Sequence, residues 1–318
     1  MTNTLAFVFP GQGSQQVGML RELAERYSVV RTTFEEGASA LGYDLWSVVQ
    51  EGPEASLNDT ACTQPALLTT SVAIWRVWQE LEGPRPGVMA GHSLGEYSAL
   101  VCAGALGFAD AVRLVRARGE AMQAAVPQGR GAMAAILGLD NAVIERACID
   151  AAQGEVVSAV NYNAPGQVVI AGDKAAVERA ISACQDAGAK RAILLPVSVP
   201  SHCALMEPAS KTLERQLSGM DIKSPRYKVY QNVDARVAQD VATLTENLVQ
   251  QLYRPVRWVD CVTAMSEAGA STFIECGPGK VLTGLGKRIN RQSRGQAIND
   301  PESLADALEM ARESVSDN

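Results

Sequence analysis

The segment Gly91-His92-Ser93-Leu94-Gly95 places a serine between two glycines in a Gly-x-Ser-x-Gly pattern. An apolar run over residues 87–90 predicts the end of a buried strand before it, and residues 96–101 predict the start of a helix after it. A serine on such a sharp turn has a strained backbone and needs small neighbours. Strand, pattern and helix in this order therefore predict a nucleophile elbow with Ser93 as the nucleophile. The alternative is a glycine-rich turn that carries an incidental serine.

The histidine content restricts how this serine could be activated, because a hydroxyl needs a base to take its proton. The chain contains two histidines. His92 adjoins Ser93, and neighbouring side chains on a turn diverge, so His92 is expected to support the turn. His202 follows the rigid segment Val199-Pro200-Ser201, and by elimination it is the predicted general base. The alternative is a histidine satisfied in the core or at the surface. No acidic residue stands out as its orienting partner.

Residues 109–126 show helical periodicity, and Arg118 falls in the middle of the apolar stripe of that helix. The stripe consists of Ala111, Leu114, Val115 and Met122, whereas Arg113, Arg116 and Glu120 share the opposite face. Arg118 could extend from the edge of the core or pair with a structural carboxylate. It could equally face a cavity and bind an anion, because a guanidinium offers a carboxylate two parallel donors. The periodicity leaves both interpretations open.

A second loop, Gly11-Gln12-Gly13, follows a predicted buried strand over residues 5–9. It is not a dinucleotide-binding fingerprint, because Gln16 stands where the third glycine or alanine belongs. Residues 276–289 likewise lack the first glycine and the hydroxyl residue of a phosphate-binding loop. The useful feature of the loop is the amide of Gln12, since open α/β sheets bind ligands at the carboxyl ends of their strands.

The predicted elements form two units around these residues. Residues 1–128 and 199–318 predict an α/β domain with a mainly parallel sheet. Residues 129–198 predict the order β-α-β-β-α-β of a ferredoxin-like subdomain inserted into that domain. The tail from residue 292 onward is polar, and its end is expected to fray.

The charge and the cysteine content argue against several classes of protein. A net charge of −7 offers no global positive field that would attract nucleic acid. The seven cysteines are scattered without a C-x-x-C pair, which is typical of reduced thiols in a cytoplasmic protein rather than of disulfides or a zinc site. No basic region precedes the first apolar run, and no run reaches the length of a membrane span, so neither a signal peptide nor a membrane anchor is expected.

Taken together, these motifs resemble the acyltransferase family of fatty-acid and polyketide synthesis, and within it the bacterial malonyl-CoA:acyl carrier protein transacylases. The resemblance lies in residues 9–15, 91–100, 161–167, 199–202 and 277–282, together with Arg118. These stretches follow the order of the family along nearly the whole chain, so the ordered set is far more specific than any single motif. The resemblance implies an α/β-hydrolase-like core with the ferredoxin-like insert.

The resemblance also implies roles at the matching positions. Ser93 is expected to carry the malonyl ester, and His202 is expected to act as its base. The main-chain carbonyl of Gln251 is expected to orient the histidine, which would explain why no acidic partner stands out. The family uses no metal and no bound cofactor, and its reaction is a ping-pong exchange through the acyl-serine.

Four further positions match the family's substrate site. Gln12 and the backbone N–H of Leu94 are expected to form the oxyanion hole. Arg118 is expected to hold the free malonyl carboxylate, and Asn163 to lie near the thioester. The implied substrates are malonyl-CoA and acyl carrier protein. The enzyme is expected to be a monomer, with neither nucleic acid nor a membrane as a partner.

Carrier proteins of this kind are acidic, so we expect a local basic docking patch despite the negative net charge. Its candidates are Lys280, Lys287, Arg288, Arg291 and Arg294. Two other functions stay open at this point. The first is a serine hydrolase built on the same elbow, which the carboxylate-matching Arg118 disfavours. The second is a non-catalytic carrier-binding module with a decayed site, against which the complete set of implied catalytic residues argues.

Overall fold

The computed structural model describes residues 4–197 and 199–316 and contains two separate β-sheets. In chain order the strands are β1 (Thr4–Phe9), β2 (Val88–Gly91), β3 (Gly131–Leu137), β4 (Val157–Ala164), β5 (Gln167–Asp173), β6 (Arg191–Leu194), β7 (Lys228–Tyr230), β8 (Ala270–Cys276) and β9 (Arg294–Ile298). The first sheet has the strand order β7-β2-β1-β8-β9 and the second the order β4-β5-β3-β6. The protein therefore has a mixed α/β fold.

Helices connect and cover these strands. In chain order they are α1 (Arg21–Arg26), α2 (Ser28–Leu41), α3 (Leu45–Glu51), α4 (Glu54–Leu57), α5 (Thr60–Glu80), α6 (Gly95–Cys102), α7 (Phe108–Ala125), α8 (Asn141–Ala152), α9 (Lys174–Asp186), α10 (Glu207–Leu217), α11 (Val241–Gln251), α12 (Trp258–Glu267), α13 (Val281–Ile289) and α14 (Pro301–Ser316). Within the described ranges, no helix combines the length and the apolar character needed to cross a membrane.

The first sheet is parallel throughout, with β1 at its centre. Both faces of a parallel sheet are normally covered, and every residue of β1 from Leu5 to Phe9 is buried. On one face, the ring of Phe7 packs edge-on against Trp75 and Trp78 of α5, at centroid distances of 5.2 and 5.0 Å. The main core therefore lies between β1 and the long helix α5.

The second sheet is antiparallel, with β5 pairing to β3 and β4, and β3 pairing also to β6. Along the chain its elements follow the order β-α-β-β-α-β. Helices α8 and α9 cover it, and an aliphatic cluster that includes Ile136, Ile144, Ile170 and Val177 fills the space between. The sheet meets the rest of the protein through β4, where the backbone N–H of Val256 donates to the carbonyl of Val160 over 2.8 Å.

The segment from residue 292 onward, described from its sequence as a polar tail, forms a strand and a helix in the residues that the structure describes. β9 pairs with β8 at the edge of the first sheet, and α14 buries an apolar face. Leu304, Ala307 and Ala311 are at most 1% exposed. These residues recur at i, i+3 and i+7, which is a helical pattern that the polar composition of the segment concealed. Residues 317 and 318, where fraying was also expected, lie outside the described residues.

The pairing of β1 with β2 brings the two predicted loops together. Its register aligns Phe9 with Gly91, so the loops that follow these strands leave the sheet side by side. The first loop carries Gln12 and the second carries Ser93. Both lie at the carboxyl edge of a parallel sheet, where ligand sites of α/β folds form.

Candidate active site

The turn after β2 has the geometry of a nucleophile elbow. Ser93 lies at its apex with a φ of 52°, in the left-handed region that costs an ordinary residue roughly 1–3 kcal/mol. A Cβ atom on Gly91 would collide with the backbone of Gly95, and one on Gly95 would collide with the carbonyl of Phe9. Neither glycine has a positive φ. The pattern therefore needs its two glycines for space, while Ser93 itself has the strained conformation.

Ser93 and His202 meet in space although they lie 109 residues apart in the chain. The Ser93 hydroxyl donates to Nε2 of His202 over 2.7 Å. On the other side of the ring, Nδ1 lies 2.6 Å from the main-chain carbonyl of Gln251, which can only accept. Nδ1 therefore carries the ring proton, and Nε2 presents a free lone pair to the serine.

The surroundings of His202 keep its ring neutral. Burial, and after it the positive charge of Arg118, lowers the pKa of His202 to about 3. A neutral imidazole is the form that a general base requires. His202 also has a left-handed backbone, with a φ of 66°, and its N–H donates to the carbonyl of Leu252 over 2.9 Å. Like Ser93, it depends on the surrounding fold to hold its conformation.

Arg118 lies on α7 and is 1% exposed. Its Nη1 donates to the side-chain oxygen of Gln64 over 2.8 Å, and its Nη2 donates to the side-chain oxygen of Gln251 over 3.1 Å. Nη2 also lies 3.4 Å from Oγ of Ser93. These partners are neutral, and no carboxylate of the described residues forms an ion pair with this guanidinium. Burial lowers the pKa of Arg118, as expected for a cation removed from water.

This environment bears on the two interpretations of Arg118 that helical periodicity left open. An arginine at the edge of the core would keep its head group in water, and a structural ion pair would place a carboxylate beside it. Neither description fits a guanidinium that is buried among amides. A buried cation that no carboxylate contacts directly is costly. The geometry therefore favours an incoming anion beside Ser93.

The two groups expected to form the oxyanion hole have donors that are free or weakly held. Leu94 follows the nucleophile at the N-terminus of α6, and in the described ranges no acceptor takes its backbone N–H. Gln12 is exposed on the neighbouring loop. Its side-chain oxygen accepts a long hydrogen bond of 3.4 Å from Gln64, and its side-chain nitrogen lies 3.5 Å from the hydroxyl of Thr60. Weakly held donors of this kind are available to a ligand.

Asn163 reaches the elbow from the C-terminal end of β4. Its Oδ1 accepts a hydrogen bond from Nε2 of His92 over 2.8 Å. The ring of His92 also lies near the ring of Trp258, with centroids 5.6 Å apart, and burial lowers the pKa of His92. His92 thus links the turn to the antiparallel sheet, which agrees with the supporting position expected for it.

Sequence reasoning missed three residues of the site: Gln64, Glu96 and Asn232. All three are fully buried. Gln64 is a single amide within the long helix α5, and nothing in the local sequence distinguishes it. Glu96 lies in the first turn of α6, where an acidic residue is ordinarily explained by the helix dipole. Asn232 follows β7, so its position after a parallel strand was the available signal.

Comparison with known proteins identifies the family to which this chain belongs. The chain matches the acyl transferase domain over residues 6–311. It is 58% identical over 303 residues to the malonyl CoA-acyl carrier protein transacylase of Salmonella typhimurium, with 95% of this chain and 98% of that protein covered. It is 46% identical over 310 residues to the protein of the same name from Bacillus subtilis, with 97% and 98% covered.

Solved structures show the same relationship. An acyl carrier protein S-malonyltransferase from Vibrio cholerae superposes with a TM-score of 0.94 at 58% identity, covering 96% of this chain and 99% of that chain. A malonyl-transacylase in complex with a type II PKS acyl-carrier protein superposes with a TM-score of 0.95 at 57% identity, again covering 96% and 99%.

Proposed function

This chain belongs to the acyl transferase domain family, and on that basis we propose that it is an acyl-carrier-protein S-malonyltransferase. It transfers the malonyl group of malonyl-CoA to the phosphopantetheine thiol of acyl carrier protein and so supplies fatty acid biosynthesis. The observation that carries the proposal is the buried guanidinium of Arg118, which lies 3.4 Å from the Ser93 hydroxyl and meets no carboxylate of the described residues. A malonyl ester on Ser93 would bring a free carboxylate to it.

In the first half-reaction, Ser93 attacks the thioester carbonyl of malonyl-CoA. As the new C–O bond forms, the hydroxyl proton passes to Nε2 of His202 and the carbonyl oxygen becomes an oxyanion. The C–S bond then breaks, and the proton on His202 passes to the departing CoA sulfur. Throughout, the carbonyl of Gln251 accepts from Nδ1 and stabilises the imidazolium, as a carboxylate does in a Ser-His-Asp triad.

The second half-reaction reverses these roles. The phosphopantetheine thiol gives its proton to His202 and attacks the carbonyl of the malonyl ester. The C–O bond to Ser93 breaks, and the proton on His202 returns to the serine oxygen. Malonyl leaves as a thioester of the carrier protein, and the free enzyme is restored. One serine and one base thus serve both halves of a ping-pong cycle.

Three other residues complete the proposed site. The backbone N–H of Leu94 and the amide of Gln12 hold the oxyanion in each half-reaction, and removing one such donor typically costs about 10²–10³ in rate. Asn163 is proposed to lie near the thioester, and its contact with His92 beside the nucleophile supports this position. The oxyanion donors stabilise charge that develops in the transition state, whereas Arg118 binds charge that the malonyl group already has in the ground state.

The two sheets support a proposal for the domain organisation. Residues 1–128 and 199–318 form an α/β-hydrolase-like catalytic core, as suggested by the elbow at the carboxyl edge of its parallel sheet. Residues 129–198 form a ferredoxin-like subdomain, as suggested by the element order and by the strand order β4-β5-β3-β6. The site lies where the end of β4 in the second unit meets the elbow of the first.

The docking surface for acyl carrier protein is proposed on α13 and the residues around it. Two of the five basic candidates are engaged within the chain. Arg288 donates to the carbonyl of Pro165 over 3.1 Å, and Arg294 pairs with Glu313 at 2.8 Å. The remaining candidates form no ion pair with described residues and leave positive charge for an acidic partner. They are Lys280, Lys287 and Arg291.

The monomeric state, the cytoplasmic location, and the absence of nucleic-acid and membrane partners stay predictions. So does the absence of a metal or bound cofactor.

The direct test is intact mass after incubation with malonyl-CoA, followed by addition of acyl carrier protein that bears phosphopantetheine. The wild-type protein should gain one malonyl group and then lose it to the carrier. The Ser93→Ala variant should gain none while it stays folded, because the substitution removes only the hydroxyl group and leaves the backbone contacts of the turn in place. An adduct on that variant would show that the nucleophile is misassigned. Release of free malonate in place of malonyl transfer would indicate a serine hydrolase.

A further inference from the structure

Glu96 is a buried carboxyl group directly behind the elbow, and the mechanism above does not use it. It lies on α6 and is fully buried. Its Oε1 accepts from the side-chain nitrogen of Gln231 over 3.0 Å. Its Oε2 accepts from the backbone N–H of Asn232 over 2.8 Å and from the side-chain nitrogen of Gln251 over 3.0 Å. The carboxyl group is therefore surrounded by hydrogen-bond donors.

The two side-chain amides around Glu96 cannot turn to offer it an oxygen. The nitrogen of Gln231 also donates to the carbonyl of Leu244 over 3.1 Å, and a carbonyl can only accept. The side-chain oxygen of Gln251 accepts from Arg118 over 3.1 Å, and a guanidinium can only donate. Three donors with fixed orientation leave no acceptor for a carboxylic acid proton. The ionised form of Glu96 is therefore the one that fits.

Asn232 and Gln251, the two residues that donate to Oε2 of Glu96, also hold the backbone of the elbow. The side-chain oxygen of Asn232 accepts from the N–H of Ser93 over 2.7 Å, and its side-chain nitrogen donates to the carbonyl of Gly91 over 2.7 Å. The side-chain nitrogen of Gln251 donates to the carbonyl of Ser93 over 3.0 Å. Both polar backbone groups of the left-handed serine therefore meet side chains of residues that donate to one carboxylate oxygen of Glu96, Asn232 through its backbone N–H and Gln251 through its side-chain nitrogen.

We propose that Glu96 is a positioning residue of the transfer reaction, whose carboxylate fixes Asn232 and Gln251 and through them the strained turn of Ser93. Gln251 extends this control to the base, because its main-chain carbonyl orients His202. The inference deepens the proposed function and rests on it. Glu96 touches neither the substrate nor the reacting atoms. Its substitution should therefore slow the chemical step rather than weaken binding of malonyl-CoA.

The ionisation of Glu96 gives this role a signature that a purely structural residue lacks. Burial raises the pKa of Glu96 to about 7 against the opposing effect of its three donors, and nearby Asp234 raises it further. The other titratable or charged groups that face it are Arg118 on α7, Tyr97 on α6 and Cys261 on α12. Protonation of Glu96 near neutral pH would place the acid proton among three donors, where it has no acceptor. The turn of Ser93 would then be held less firmly.

Acylation of Ser93 should therefore rise as pH increases through about 7. His202 does not explain such a rise, because its pKa is lowered to about 3. Protonating the base would lower the rate only at much more acidic pH. A rise near neutral pH thus reports on Glu96.

The test is the rate constant for malonylation of Ser93 at saturating malonyl-CoA, followed by quenching and intact mass from about pH 5 to about pH 9. The Glu96→Gln variant keeps the size of the side chain but presents a donor where the carboxylate accepts. We expect its rate above neutral pH to fall by about tenfold or more, with KM for malonyl-CoA little changed and the rise near pH 7 abolished.

A matched control comes from the same polar cluster. The Asn247 side chain donates to Gln231 over 3.0 Å and lies 3.5 Å from Asp234, but among the described residues it forms no hydrogen bond to the elbow or to the side chain of Gln251. The Asn247→Ala variant should keep the wild-type rate and pH profile even if its melting temperature falls. Equal rate losses in the two variants with an unchanged rise near pH 7 would overturn the proposal, as would a Glu96→Gln variant with wild-type behaviour.

Should Glu96→Gln fail to fold, Glu96→Asp applies the same test, because it retains a titratable carboxylate on a shorter stem. A folded Glu96→Asp protein should acylate more slowly yet keep the rise in rate around neutral pH, and loss of that rise would overturn the proposal. Wild-type protein that gains no malonyl mass would overturn the proposed function together with this role. A normal wild-type adduct beside an unaffected Glu96→Gln variant would overturn the role of Glu96 alone.

Discussion

The wall behind the elbow and the interior of the antiparallel sheet are both closed to water, but they bury different groups. Around the elbow, Arg118, Glu96 and His202 are each at most 3% exposed. Between residues 131 and 194, all of which the structure describes, Asp173 is the only buried charged residue. The rest of that interior is mainly aliphatic. The same chain thus builds one polar interior and one apolar interior.

The difference shows how to separate structural from functional burial of charge. Asp173 pairs with Arg130 at 3.0 Å and accepts from the backbone N–H of Val156 over 2.9 Å, so its charge is balanced within the chain. Arg118 and Glu96 meet neutral groups and share one amide, that of Gln251. Such groups disfavour folding. We infer that Arg118 is retained because a substrate carboxylate balances its charge, and that Glu96 is retained because it positions the elbow.

This contrast between the two interiors predicts that substitutions at the elbow reduce the rate of acylation, whereas substitutions under the antiparallel sheet reduce the free energy of unfolding. The largest expected effect is that of His202→Ala, which should slow acylation by a factor on the order of 10²–10⁴, the usual contribution of a general base. Stopped-flow or quenched acylation with malonyl-CoA measures this loss. His202→Asn should lose as much, because asparagine tolerates the left-handed backbone but supplies no base. Near-normal rates in both variants would exclude His202.

Ile170→Ala should reduce the stability of the protein rather than its rate of acylation. Ile170 lies on β5 and is fully buried in the aliphatic cluster, so truncation should lower the free energy of unfolding by about 2–5 kcal/mol. Chemical denaturation measures this loss. The fraction that stays folded should acylate at the wild-type rate. Ile193→Ala is the matched control, because Ile193 is 50% exposed on β6 of the same sheet, and it should change stability by less than about 0.5 kcal/mol.

The smallest effect is expected at the surface, outside both interiors. Lys287→Glu on α13 should slow malonyl transfer to acyl carrier protein by roughly three- to tenfold at low salt and spare acylation from malonyl-CoA. Lys174→Glu is a control of the same charge change, since Lys174 is exposed at the start of α9 in the other unit. Added salt should reduce the difference between the two variants. Equal losses in both half-reactions would point to a defect in folding.

Local patterns predicted much of this fold, while contacts across the chain were harder to foresee. The elbow was visible because its strand, turn and helix are consecutive, and His202 could be found because the chain has two histidines. The buried state of Glu96 depends on Gln231, Asn232 and Gln251, which are distant in sequence. No local pattern distinguishes it from an ordinary acidic residue in the first turn of a helix. The helix α14 was missed because polar residues outnumber its apolar stripe.

The central claim is that Arg118 binds the malonyl carboxylate. The test is the malonyl-to-acetyl ratio of kcat/KM in the wild-type protein, Arg118→Ala and Arg118→Lys. Removing one partner of a buried charge pair costs about 2–5 kcal/mol, so Arg118→Ala should lower the ratio on the order of 10²-fold or more, largely by losing malonyl transfer. Arg118→Lys keeps the charge but loses the two-pronged donor and should fall between. A ratio that is unchanged in Arg118→Ala would contradict the account, because the arginine would then be structural and the carboxylate would be bound elsewhere.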